Sequence, residues 1–263
     1  MNALSRRVEA FKALGKRFPH TAPTPLTLSH CADGLLWVAL HDAVMDYLRV
    51  TAHFPSAPEG HLLRKYDSGP VFSVTPAGMV VPKSNSWLEF NRVIRCFHDL
   101  IASMGFADLV ESWHVPLNVR FKGSEPLEQS LRRPHATEEP HSDSWAGESS
   151  ESVTIYIPLA GDAPNNFFKM YYPVHHFEEA FLGARNDYRE GRDVLWAYEP
   201  IDYVCLLNNV LLVDFATLHA TTRLPKCGPR ISIDTTFTLK KRDMQEKIHP
   251  WREGERMSPE LLS

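Results

Sequence analysis

A chain of 263 residues with a net charge of −4 and 43% hydrophobic residues is long enough for one large domain or two small ones. It is also apolar enough for a buried core, which excludes a disordered reading. Acidic and basic residues are mixed throughout, so neither a nucleic-acid nor a membrane-surface footprint is expected. The four cysteines, Cys31, Cys96, Cys205 and Cys227, form no C-x-x-C pair, which speaks against a disulfide framework or a zinc ribbon and fits a reducing cytoplasm.

Met1 to Phe18 is basic and amphipathic, with Leu4, Val8, Phe11 and Leu14 on one helical face. It lacks the apolar stretch of a secretory signal and reads as a surface helix. No apolar run approaches the roughly 20 residues that span a bilayer, so a soluble protein is expected. Leu35 to Val50 is apolar and helix-compatible, and a further helix is marked by Trp87, Phe90, Ile94, Phe97, Ile101 and Met104 at three- and four-residue intervals. Ser86 and Glu89 have capping-box spacing at its start, and Gly105 suits its end. Residues 53–84 are rich in Pro, Gly and Ser and read as a long loop or ribbon. The first 110 residues are thus expected to be mostly helical.

The pattern changes from residue 115. Val115-Pro-Leu-Asn-Val-Arg-Phe-Lys122, Val153-Thr-Ile-Tyr-Ile157 and Arg230-Ile-Ser-Ile-Asp-Thr-Thr-Phe237 alternate as half-buried strands do, and Val210-Leu-Leu-Val213 reads as a fully buried one. Gly161-Asp162, Gly191 and Gly228-Pro229 are turn signals between them. Helices followed by many strands imply a mainly β fold with flanking helices: a sandwich or jelly roll carrying the N-terminal helices on its outer face. One domain is expected, with a helical part at 1–114, a jelly-roll core at 115–240 and a C-terminal tail at 241–263.

His141-Ser-Asp143 and, 76 residues later, His219 supply the ligand set of a facial triad, two histidines and one carboxylate on one side of a metal. In a strand, residues two apart point the same way, so His141 and Asp143 can enter one cavity. With 13 histidines and 14 aspartates, about one such pair arises by chance, so the pair alone is equally compatible with a histidine on a surface loop. Eleven residues beyond His219, alternation places Arg230 and Ser232 on one strand face and Ile231, Ile233 and Phe237 on the other. A guanidinium fork with an adjacent hydroxyl suits a carboxylate ligand.

His141-Ser-Asp143, Val213-Asp-Phe-Ala-Thr-Leu-His219 and Arg230-Ile-Ser232 together resemble the iron(II)/2-oxoglutarate-dependent oxygenase superfamily over about residues 115–240. The resemblance implies a double-stranded β-helix (cupin-like) core, Fe(II) held by His141, Asp143 and His219, and the distal carboxylate of 2-oxoglutarate held by Arg230 and Ser232, with O2 as the second cosubstrate. Many relatives have a Gly-Asp turn before the strand leading to the distal histidine, where this chain has Asn208-Asn209. Relatives that halogenate carry a small residue at the carboxylate ligand position, so Asp143 implies hydroxylation, desaturation or ring closure.

His176-Phe-Glu178 is a rival ligand pair, but Val174 to Leu182 reads as a short helix, where residues two apart diverge. His114 and His135 are spare histidines. Arg223 rivals Arg230, but it lies in the turn containing Pro225. Trp145 and Glu148 fall where such folds line the substrate mouth, with core packing equally open for Trp145. Asn118, Arg120 and Lys122 share a strand face that either enters the cavity, favouring a polar or anionic substrate, or faces solvent. The expected activity is oxidation of a small polar metabolite. A non-redox cupin-like binding protein and a zinc hydrolase on the same triad are the alternatives.

Overall fold

The computed structural model describes residues 2–68, 73–114, 117–126 and 128–240, together with the backbone of 256 and 257. The amphipathic N-terminus forms helix α1 (Ala3–Gly15), started by the Asn2 side chain, which accepts from the Ser5 amide at 2.8 Å. Phe11 and Leu14 are fully buried, with Leu4 and Val8 packed beside them. Two strands follow, β1 (Thr21–Thr24) and β2 (Thr27–Cys31), contrary to the expected helical N-terminal part. β2 is extended because it pairs along its length with a later strand, a long-range partner that local pattern does not register.

Helix α2 (Gly34–Thr51) starts at Asp33, whose carboxylate accepts from the amides of Leu35 and Leu36. The stretch expected as one long loop contains α3 (Glu59–Asp67), anchored by buried Leu62 and Tyr66. Two apolar positions one turn apart are too few to register as periodicity. Helix α4 (Trp87–Ser103) buries Phe90, Val93, Phe97, Leu100 and Ile101, while Trp87 stays half exposed. Gly105, at φ +70°, turns the chain after it. The expected capping box is not formed. The Ser86 hydroxyl instead accepts from the Lys83 amide and donates to the Lys83 carbonyl, closing the preceding turn.

Then come β3 (Val110–His114), β4 (Asn118–Lys122), β5 (Ser152–Gly161), β6 (Asn166–Pro173), β7 (Tyr198–Pro200), β8 (Asn209–Asp214), β9 (Leu218–Arg223), β10 (Arg230–Leu239) and the two-residue β11 (Arg256–Met257). Val115, Pro116 and the remainder of the expected tail lie outside the described residues. The larger sheet has the order β1-β2-β8-β5-β10-β3-β11, with β4 also pairing β10; the smaller is β7-β6-β9. His141 bridges His219 on the free side of β9.

From β4 onward the chain winds between the sheets. β4, β5, β8 and β10 lie in the larger one; the His141 segment, β6, β7 and β9 lie in the smaller. With all neighbours antiparallel, this winding is a double-stranded β-helix carrying helices on its outer face. Alternation sorts the faces of β10. Ile231, Ile233 and Phe237 join the cluster beneath the helices, while Arg230, Ser232 and Asp234 line a cavity between the sheets. On β4, Val119 and Phe121 enter that cluster, and Arg120 and Lys122 line the cavity.

Two turns set the start of β10. Gly161 has φ +82°, and a Cβ there would meet the Pro229 carbonyl oxygen at 2.1 Å, so glycine is required. The Asp162 amide donates to Pro229 O at 2.9 Å, and the Gly228 amide donates to the Asp162 carboxylate at 2.8 Å. Before β8, Asn208 adopts φ +64°, the left-handed conformation for which glycine is the default and asparagine the best-tolerated substitute. The departure from the Gly-Asp turn is conformationally conservative.

Candidate metal centre

His141, Asp143 and His219 each turn one ligand atom into the cavity, and these atoms all lie within 4.8 Å of one another. Asp143 Oδ1 is 3.8 Å from His141 Nε2 and 3.7 Å from His219 Nε2. Asp143 is not on a strand, as the His-x-Asp argument expected. It opens a 3₁₀ turn, Asp143–Ala146, preceded by Ser142, whose side chain accepts from the Ser144 amide. The convergence of the pair depends on that turn.

The histidines are prepared as donors of a lone pair. His141 Nδ1 lies 2.7 Å from the Glu139 carbonyl, which accepts only if that nitrogen carries the proton, so Nε2 is left free to bind a metal. Its ring stacks on Tyr188 with centroids 4.0 Å apart, and the His219 ring stacks on Phe168 at 4.4 Å. Burial, reinforced for His141 by His219, pushes both imidazoles down to about 3, so they are neutral at ordinary pH. Burial also pushes the Asp143 carboxyl upward. Thr154 donates to its other oxygen at 3.4 Å. A half-buried carboxylate beside two neutral imidazoles is a donor set that suits a divalent cation.

The triad shares its cavity with Arg230 and Ser232, as alternation required. Arg230 is 2% exposed; one of its terminal nitrogens donates to the Asn166 carbonyl at 3.0 Å, and the guanidinium sits 5.4 Å from the Tyr156 ring centroid. Arg230 Nε and Ser232 Oγ are buried without hydrogen-bond partners. Unpaired buried donors are costly, and their presence in a cavity wall implies an acceptor supplied by a ligand.

Arg120 also lines the cavity, forked onto Asp234. Asn118 does not line it; its amide donates to Asp234 at 2.8 Å and holds that pair in place. Trp145 is fully buried in a separate cluster with Tyr188 and Leu218, its indole N–H donating to Phe181 O at 2.7 Å. It is a packing residue, because the 3₁₀ turn that presents Asp143 swings Trp145 under the site. Gly191, a turn signal in the sequence, is needed for packing as well, because its missing side chain makes room for the Trp145 ring, which a Cβ there would meet at 2.0 Å. Glu148 pairs with His114 at 3.4 Å instead of lining the cavity. His176 and Glu178 bond one another at an exposed position, and the expected helix from Val174 shrinks to a 3₁₀ turn, Glu179–Leu182. His135 contacts the Arg185 carbonyl. Arg223 bonds Gly123 O and Glu138 and is not a wall residue of the triad's cavity. Tyr188, Phe168 and Asn166 also contact the site residues, and no motif in the sequence marks them. Phe168 is legible only from its cross-strand place opposite Thr221, two residues past His219.

No family model matches the sequence, and no curated protein matches it. Solved structures are similar in chain path. SnoN, an epimerase of nogalamycin biosynthesis solved with Fe3+ and alpha ketoglutarate, has 14% identity and a TM-score of 0.49 over 89% of this chain and 84% of its own. SnoK, a carbocyclase of the same biosynthesis, has 11% identity and a TM-score of 0.47 over 94% and 88%. EctD from S. alaskensis, solved with 2-oxoglutarate and 5-hydroxyectoine, has 16% identity and a TM-score of 0.43 over 95% and 82%. The resemblance to iron(II)/2-oxoglutarate oxygenases holds in fold and in triad. What the cavity does chemically follows from its own residues.

Proposed function

We propose that this chain is a single-domain, cytoplasmic iron(II)- and 2-oxoglutarate-dependent oxygenase acting on a small polar metabolite. The observation that carries the reading is one cavity with a convergent His-Asp-His triad and a buried arginine whose Nε lacks a partner. Two imidazoles and a carboxylate suit iron(II), and the open Arg230–Ser232 pair suits the far carboxylate of a keto acid. No described helix is long and apolar enough to cross a membrane.

Bound at the triad, iron(II) with 2-oxoglutarate and O2 supplies an oxidant for unreactive C–H bonds, with succinate and CO2 as coproducts. The chain's part is positioning. The Glu139 carbonyl and the Tyr188 and Phe168 rings hold the imidazole planes, and Arg230 fixes the keto acid so that its other end reaches the triad. Asp143 fills the position that a halide would need, which supports hydroxylation, desaturation or ring closure. Arg120, forked onto Asp234, gives the wall a polar patch for a polar substrate.

The test is succinate formation with iron(II) and 2-oxoglutarate across a panel of amino acids, amino sugars and natural-product intermediates, with metal analysis after anaerobic purification. Iron with succinate formation supports the reading. Zinc with hydrolytic turnover supports the hydrolase, and metal binding without 2-oxoglutarate consumption supports the cupin-like binding protein.

A further inference from the structure

Helix α1 buries Phe11 and Leu14, and Arg7 stands on the same face, one turn before Phe11. It is only 4% exposed. A guanidinium on an apolar stripe costs desolvation, which only well-placed hydrogen bonds offset. Arg7 Nε and Nη2 fork onto the Glu179 carboxylate at 3.2 and 2.7 Å. Nη2 also donates to the Ser150 carbonyl at 3.0 Å, and Nη1 donates to the Asp214 carboxylate at 3.0 Å.

Each of these partners lies close in the chain to the machinery of the triad. Asp214 ends β8; its carboxylate also accepts from the Ala216 amide at 2.7 Å and its carbonyl from the Thr217 amide at 2.8 Å. Those bonds close the turn that delivers His219. Ser150 lies in the loop between the Asp143 turn and β5, and the Phe215 amide joins the two turns by donating to Ser152 O at 3.3 Å. Glu179 opens the 3₁₀ turn whose Phe181 carbonyl accepts from Trp145, two residues past Asp143. Tyr198, packed in the Trp145–Tyr188 cluster, is near enough to Arg7 and Asp214 for their charges to act on its phenol. One side chain from α1 thus ties together the segments that present Asp143 and His219. An apolar side chain of similar length would be buried at less cost, so stability alone does not account for an arginine here. What a forked guanidinium adds is direction, holding three chain segments at set angles to one another.

We propose that Arg7 is a positioning residue of the metal centre, coupling the docking of α1 to the placement of Asp143 and His219. This rests on the metal-centre reading above and extends it to a helix from which no described residue lines the cavity. Such coupling is reciprocal: if docked α1 favours metal binding, bound metal favours docked α1 by the same factor.

The test has two arms. In the first, amide hydrogen exchange of the wild type is followed with and without saturating Mn(II). Surface helices open locally, ahead of the sheets, so their exchange reads docking directly. The α1 amides should exchange about threefold or more slowly with Mn(II) bound, while α3, packed against α2, should be unchanged. In the second arm, Mn(II) affinity is measured by chelator competition in the folded variants. Arg7→Met should weaken it about three- to thirtyfold, and Arg7→Lys, which keeps the charge without the fork, should recover part of the loss. The Co(II)-loaded Arg7→Met protein should also show shifted visible absorption bands, because ligand placement has changed. A clamp that only stabilises the fold leaves those bands as in the wild type. Exchange of α1 that does not respond to bound Mn(II) would overturn the proposal, as would wild-type Mn(II) affinity and Co(II) bands in a destabilised Arg7→Met. A wild type that binds no divalent metal at the triad overturns the metal-centre reading itself. The exchange measurement needs no variant, so it decides the matter even if Arg7→Met does not fold.

Discussion

At the triad end of the cavity the two imidazoles are stacked on aromatic rings, and His141 has its second nitrogen engaged by a backbone carbonyl. At the other end, Arg230 keeps an unpaired Nε, Ser232 an unpaired hydroxyl, and Lys122 is buried opposite Arg230. The triad end is held in orientation by the fold alone. The cationic end leaves polar capacity open at a cost to stability, and under the proposed function an anion completes it. A neutral lone-pair donor is tolerated in a dry site, whereas buried cations need a counter-charge.

The strongest way to break this comparison is to remove a ligand. His219→Ala should abolish turnover and retained iron, because two ligands do not hold the metal through purification. Metal content and succinate formation check it, and full activity would transfer the role to another histidine. Next is Arg230→Ala, expected to weaken 2-oxoglutarate binding about ten- to a hundredfold with iron content unchanged. Arg230→Lys should recover only part of this, since a point charge does not reproduce the fork.

Two smaller effects sharpen the triad end. Tyr188→Leu or Phe168→Leu removes one stacked ring and should weaken metal affinity about two- to tenfold, measured by competition with a chelator, with 2-oxoglutarate affinity in the metal-saturated protein preserved. The smallest effect is on acid stability. Both histidines sit near 3 in the folded chain and near 6.5 when unfolded, so the unfolded chain binds more protons below pH 6.5. The metal-free protein should lose stability as pH falls from about 6.5 toward 3. His141→Gln should flatten that slope in denaturant titrations. An unchanged slope would mean that the imidazoles are not held neutral.

Local pattern was enough to read several parts of the molecule. Three- and four-residue apolar spacing marks α4, and two-residue alternation sorts β10, placing Arg230 and Ser232 on one face, which in the structure lines the cavity. Alternation is a property of the strand itself and needs no knowledge of its partners. Strand β2 escaped because its pairing partner β8 lies about 180 residues away, and β1 is extended only because it pairs with β2. The triad residues were legible as types, but Asp143 reaches them by a 3₁₀ turn where a strand was expected, and the same turn puts Trp145 into the core and away from substrate.

Sequence by itself determined which side of each strand is polar and which residue types stand eleven apart at His219 and Arg230. Only the tertiary structure decided what those faces meet. Whether Arg120 and Lys122 face solvent or the cavity was open from β4 alone, and pairing with β10 settled it by carrying both strands' polar faces inward together. It also decided that Asn118 braces Asp234 and that Lys122 stands opposite Arg230. Periodicity along a chain says which side chains share a face, but register across a sheet is set by pairing between distant segments, and it is register that brings Lys122 and Arg230 together in one cavity wall.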